Sequence, residues 1–124
     1  KQKTAYEMST KANADIYVLG DASQQGDMPK SGFSANSQAK VCANAVRGSL
    51  TGSKVFPAKF SNTCWSLVHE NDGIKVGATY KATAEKIAKV DGFISATNES
   101  AELRKATYEE SEGWYAGITA DMFG

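Results

Sequence analysis

Ile16-Tyr17-Val18-Leu19-Gly20-Asp21-Ala22-Ser23 is the stretch on which the reading of this chain turns. Four apolar residues in a row, closed by Gly-Asp, read as a short strand buried on both faces, as in a parallel sheet. The segment Gln24-Gln25-Gly26-Asp27-Met28-Pro29-Lys30-Ser31-Gly32 then reads as a polar loop punctuated by Gly and Pro. A helix is expected to start within residues 31–34 and run to about Leu50. Val41, Cys42, Ala45, Val46 and Leu50 fall on one stripe at helical spacing, and Gly52 supplies the stop. One strand and one helix cannot make a sheet alone. Residues 1–52 therefore read as the closing βα piece of a larger α/β domain. The start at Lys1, without Met or an apolar leader, reads as a cut end.

Residues 53–61 read as irregular, because Pro57 would break any ladder. Three strand candidates follow at residues 63–69, 74–82 and 86–90, separated by short connections, which is the pattern of an antiparallel meander. Gly92 and Asn98 punctuate the next connection. A last helix is expected over residues 100–122, where Leu103, Thr107, Ser111, Trp114, Ile118 and Met122 recur every three to four positions. Asn98 or Ser100 would cap it, with Glu99 and Glu102 at the positive end of its dipole. Gly113 and Gly117 read as a kink or a close approach. The expected class is α+β, with residues 53–124 forming an α+β unit of their own.

Composition removes several functions. Of 124 residues, 14 are Lys or Arg and 14 are Asp or Glu, so no basic excess favours nucleic acid or anionic lipid. The run Ile16–Leu19 is far short of the ~20 residues of a membrane span. Two Cys cannot build a disulfide-dense framework or an all-Cys zinc site.

Few residues carry chemistry. An Asp at the carboxyl end of a buried strand, as in Gly20-Asp21, lies where open α/β sheets bind ligands. There it could accept hydrogen bonds from ligand hydroxyls, or it could be a plain turn residue. The loop leading into a helix favours a ligand, because the helix N-terminus carries about half a positive charge. Cys64, in Asn62-Thr63-Cys64-Trp65, lies where irregular chain meets a strand. It is either a partly exposed, reactive thiol or a small buried hydrophobe. Cys42 reads as core, and a Cys42–Cys64 bridge stays open. His69 stands alone and reads as a surface residue. Glu109, Glu110 and Glu112 read as a solvated helix face, and Trp114 and Tyr115 as core or interface aromatics. No G-x-G-x-x-G, P-loop, G-x-S-x-G or H-E-x-x-H occurs, so phosphoryl transfer, acyl transfer and zinc hydrolysis have no candidate site.

Ile16 to Ser23, then Met28-Pro29-Lys30-Ser31-Gly32-Phe33-Ser34-Ala35-Asn36-Ser37-Gln38-Ala39-Lys40-Val41-Cys42-Ala43, resemble the flavoprotein subunit of flavocytochrome c sulfide dehydrogenase. Asn62-Thr63-Cys64-Trp65-Ser66-Leu67 and the terminal run from Gly113 to Gly124 resemble it as well. The resemblance implies a C-terminal part of a longer FAD-dependent oxidoreductase, with residues 1–52 closing its FAD-binding domain and residues 53–124 its flavin-binding and interface domain. It implies a periplasmic location, sulfide as substrate and a haem-containing cytochrome c subunit as partner and electron acceptor. Gly20 and Asp21 would hold the flavin ribityl chain. Pro29, Lys30, Ser31 and Gly32 would lie along its pyrimidine end, Cys64 would be one half of a redox disulfide, and Trp114 would sit near the flavin. The second redox Cys, the covalent FAD attachment and the Gly-rich nucleotide site would lie upstream. The isolated chain is therefore expected to be inactive, to hold no FAD and to self-associate through the strand at residues 15–19. The rival expectation is a non-catalytic module that docks a partner through Trp114, Tyr115 and Phe123.

Overall fold

The computed structural model of the protein describes residues 17–124. Residues 14–16 of the predicted first strand lie outside them. Tyr17 makes a single bridge, and Val18 and Leu19 are not in a strand. Gly20–Ala22 form one 3-10 turn, followed by α1 (Gly32–Thr51), β1 (Lys59–His69), β2 (Asp72–Ala82), β3 (Ile87–Ile94) and α2 (Ala101–Phe123). The strands pair in chain order in one antiparallel sheet. This is the expected α+β class, with a meander and a C-terminal helix.

The chain gathers into two compact units that both draw on the long strands. One takes in the described residues up to Asn62 together with Ala78–Gly92; the other is Thr63–Gly77 with Phe93–Gly124. The core of the first unit is Met28, Phe60, Ala78, Tyr80 and Ile87, with Val41, Ala58 and Ala82 packed against it. Phe60 is 2% exposed, and its burial carries β1 four residues further upstream than expected, to within two residues of Pro57. Proline at a strand's threshold removes no ladder bond there.

The buried face of α1 differs from its apolar stripe. Leu50, expected in the core, is 81% exposed, and Cys42 is half-buried. The residues that α1 does bury are Ser34, Gln38, Ala45 and Gly48. A polar side chain inside costs free energy unless its hydrogen bonds are made, and the Ser34 hydroxyl and the Gln38 oxygen make theirs, to Asn62 and Gly20. Ser31 caps the helix by accepting from Ser34 N at 3.0 Å. Gly52 closes it in the left-handed region, with φ 70°.

In the second unit α2 lies along the β1–β2 hairpin. Gly73 permits the approach: a Cβ there would come 2.8 Å from Tyr108 N, which is backbone. Thr107 is buried at this crossing. Arg104 pairs with Asp72 and Lys75 with Glu110, and the Lys75 ammonium stands 5.9 Å from the centre of the Phe93 ring. Ser100 is the N-cap, accepting from Leu103 N at 3.3 Å. α2 runs unbroken through Gly113 and Gly117, and a Cβ at either would meet nothing within 4 Å among the described residues. Among those residues the close approach is at Gly73 instead. β3 continues past Val90, through Gly92, to Ile94. Just beyond, Ser95 N donates to Lys75 O at 2.9 Å and its hydroxyl accepts from Lys75 N at 3.1 Å, so pairing with β2 outweighs the low strand preference of glycine.

Candidate functional site

Gly20 is the pivot of the first unit. Its φ of 67° is readily adopted only by glycine. Its carbonyl accepts from Ser23 N at 3.0 Å, from the Ser23 hydroxyl at 2.8 Å and from the Gln25 carboxamide. Its N–H donates to Gln38 Oε1 at 2.8 Å. With the Gly20 peptide held on both sides, the chain turns at once and presents Asp21 to solvent.

Lys30 reaches back across this turn, and its Nζ donates to Asp21 O at 2.6 Å. Ser31 and Gly32 follow immediately as the cap and first residue of α1. The structure therefore brings together Gly20, Asp21, Pro29, Lys30, Ser31 and Gly32, six of the eight residues singled out from the sequence. Cys64 and Trp114 belong to the other unit.

The helix end is an electropositive corner. Ser31 supplies acceptors for Ser34 N at 3.0 Å and Ala35 N at 2.9 Å. Gly32, the first residue of the helix, is exposed, and its N–H has no protein partner among the described residues. The Lys30 ammonium adds a full charge beside the partial charge of the helix terminus. The Ser31 hydroxyl donates to Asn62 Oδ1, and the Ser34 hydroxyl donates to the same oxygen at 3.0 Å. Ser31 is thus committed to shaping the corner, while Gly32 and Lys30 face outward.

Asp27 anchors the loop that carries these groups. Its N–H donates to Ile87 O at 2.9 Å; its carboxylate accepts from Lys86 Nζ at 2.5 Å and from Lys89 N at 3.2 Å. The Lys86 hydrogen bond and then the Lys89 amide hold this carboxyl below its ordinary value of 3.8. The anchors Ser23, Gln25, Gln38 and Asn62 did not emerge from the sequence, because isolated polar residues read as surface. Their one signal is Ser34 and Gln38 at i, i+4 behind a capping Ser31, which puts two polar groups on the face that meets the preceding loop.

In the second unit Cys64 is half-buried on β1. The next residue, Trp65, lies with its ring centre 5.5 Å from that of Trp114, the planes tilted by 32°. Successive side chains of a strand point to opposite faces. Cys64 therefore faces away from the side of the hairpin on which α2 and Trp114 pack. Cys42 and Cys64 are both free thiols, so the bridge left open by the sequence is not formed. Burial pushes the Cys42 thiol above its ordinary value of 9.0. His69 is exposed at the end of β1, as expected.

Among the described residues no group of three His, Cys, Asp or Glu could hold a metal ion, and no helix is long and apolar enough to cross a membrane. Two grooves, of about 380 and 510 Å³, flank α1 and the sheet, but Asp21, Lys30 and Gly32 line neither.

The chain is an α+β protein in which a lysine side chain bonds the backbone carbonyl of an exposed aspartate beside a helix N-terminus. Residues 57–123 match the family model described as flavocytochrome c sulphide dehydrogenase, flavin-binding, and the chain belongs to that family. It is a flavin-binding domain of an oxidoreductase whose family name couples a flavoprotein with a cytochrome c.

Proposed function

We propose that this chain is the C-terminal part of an FAD-dependent sulfide dehydrogenase, and that the corner formed by Asp21, Lys30 and Gly32 is its contribution to the flavin site. The observation that carries this reading is the bond from Lys30 Nζ to the Asp21 backbone carbonyl, which folds the Gly20–Asp21 turn back toward the residues that open α1. The donor set suits a flavin. The Asp21 carboxylate would accept from ribityl hydroxyls. The Gly32 N–H and the remaining Lys30 protons would hold the pyrimidine oxygens and oppose the negative charge that grows there on reduction. A buried acceptor without a partner among the described residues, Gln25 Oε1, adds one position at which a donor would be taken up. When bound, FAD supplies a two-electron acceptor that can release electrons singly.

Cys64 is the residue to which we assign the reaction with sulfide, as one half of a redox disulfide. Hydrosulfide would attack the disulfide, forming a sulfur–sulfur bond to one cysteine while the other leaves as thiolate, the electron pair that then moves on. We place the protein in the bacterial periplasm, where disulfides persist, with a cytochrome c haem subunit as acceptor. The test is sulfide-dependent cytochrome reduction per bound flavin in the full-length protein. Cys64→Ser should abolish it, since the electrophile is gone. Cys42→Ser should cost about 1–3 kcal/mol of stability through an unmade hydroxyl bond and leave turnover near that of the unmodified protein. Equal, stability-limited losses at both positions would remove Cys64 from the reaction.

A docking role is the second reading. It is favoured by Tyr115 and Phe123, which α2 leaves exposed; aromatics of this kind anchor interfaces. Trp114 is a weaker anchor, because its ring already packs on Trp65. Replacing Tyr115 and Phe123 with Ser should weaken cytochrome binding without changing the flavin spectrum. Unchanged binding would retire this role.

A further inference from the structure

We propose that Gln38 is a positioning residue for the flavin corner: its carboxamide holds the Gly20–Asp21 turn and so sets where the Asp21 carboxylate stands. The inference rests on the flavin reading of that corner and adds a residue that does not itself reach the ligand. Gln38 is 0% exposed, on the face of α1 that also buries Ser34, Ala45 and Gly48. A carboxamide in such a place is costly unless its bonds are made. Its oxygen accepts the Gly20 N–H at 2.8 Å, whereas its nitrogen meets only Met28 Sδ at 3.5 Å, a weak acceptor. The strong bond is therefore the one to Gly20.

That bond matters because of what else holds the turn. The Gly20 carbonyl is fixed from within the loop, by Ser23 and Gln25. Among the described residues, Gln38 is the one that ties Gly20 by a hydrogen bond to α1, the helix whose N-terminus forms the other wall of the corner. Ser34 lies one turn before Gln38, equally buried, and joins the cap through Asn62. A single helix face thus holds both walls. Removing the Gln38 acceptor leaves the Gly20 N–H buried and unmet, and the turn must rotate to find water. The Asp21 carboxylate, which has no partner of its own among the described residues, would move with it.

The experiment is a double-mutant cycle in the flavin-loaded full-length protein, read by the visible flavin band and the flavin midpoint potential. Asp21→Ala should shift both. Gln38→Leu should shift both in the same direction, and the double variant should match Asp21→Ala alone, since Gln38 acts through Asp21. Gln38→Met, close in volume and lacking the acceptor, replaces Gln38→Leu if the latter does not fold. Amide exchange of Gly20 in the unmodified protein provides a measurement free of folding losses. Exchange slowed at least tenfold relative to neighbouring loop amides supports the bond; exchange at the loop rate overturns the proposal. If Asp21→Ala leaves the flavin unchanged, the flavin reading of the corner is what fails. If Asp21→Ala shifts the flavin while the Gln38 variants do not, or add to it independently, Gln38 is structural only and the proposal is overturned.

Discussion

Asp27 shows what one exposed carboxylate does when it is placed well. It joins the loop carrying Asp21 and Lys30 to the start of β3 through Lys86 and Lys89. Its carboxyl is held below the ordinary 3.8, with the Lys86 bond as the largest cause. A carboxyl depressed in the folded state stabilises at pH above its unfolded value, and that contribution is lost as pH falls through the folded value. Asp27→Asn should therefore lower the denaturation midpoint by a constant amount between pH 5 and 7. The gap between the two proteins should close below 3.8. No gap at pH 7 would show that the loop is held by the Asp27 backbone bond to Ile87 without help from the carboxylate. The residues that Asp27 supports were legible in the sequence, because Gly20-Asp21 and Pro29-Lys30-Ser31-Gly32 are contiguous motifs. Asp27 itself was not, since its partners stand some sixty residues away.

At the scale of elements, helix ends were legible and helix faces were not. Ser31, Ser100 and Gly52 act through partners within four residues, so the local chain names them. Which face of α1 is buried depends on what arrives from elsewhere, and Gly20 and Asn62 arrive needing polar partners. Ser34 and Gln38 go inside for that reason, and Leu50 is left out. Glycines in the second unit make the same contrast measurable. Gly73→Ala should destabilise by about 1–3 kcal/mol, because the new methyl meets rigid α2 backbone at Tyr108. Gly113→Ala should stabilise by about 1 kcal/mol, since it removes a poor helix former from an open position. Urea titrations of the two variants should move in opposite directions. A destabilised Gly113→Ala would reveal a contact that this chain alone does not make.

At the scale of the whole molecule the notable feature is apolar surface on an open sheet. Val68, Val76, Val90 and Ile94 are all exposed on its strands, and among the described residues β1 and β3 are its edges. Exposed apolar side chains beside unpaired strand edges favour association. The isolated chain should therefore self-associate as its concentration rises, and light scattering across a dilution series would register the mass change. A constant monomer mass at high concentration would count against it. Of the strand at residues 15–19 that was expected to drive this association, residues 15 and 16 lie outside the described part and Val18 and Leu19 are not in a strand, so the exposed apolar residues of the sheet take that place.

What the sequence determined by itself is whatever depends on neighbours along the chain. That covers the α+β order of elements, the meander, the helix caps and the contiguous motifs around Asp21 and Lys30. Tertiary structure alone decided that Lys30 closes onto the Asp21 carbonyl, that Gln38 holds Gly20, that Trp114 takes Trp65 as its partner, and that the two thiols stay unbridged. The physical reason is one of range. Propensity, capping and turn chemistry act over a few residues and leave a mark in the local pattern. The partner of a buried polar group, or of an aromatic ring, is chosen by packing between distant segments, and no local pattern records that choice.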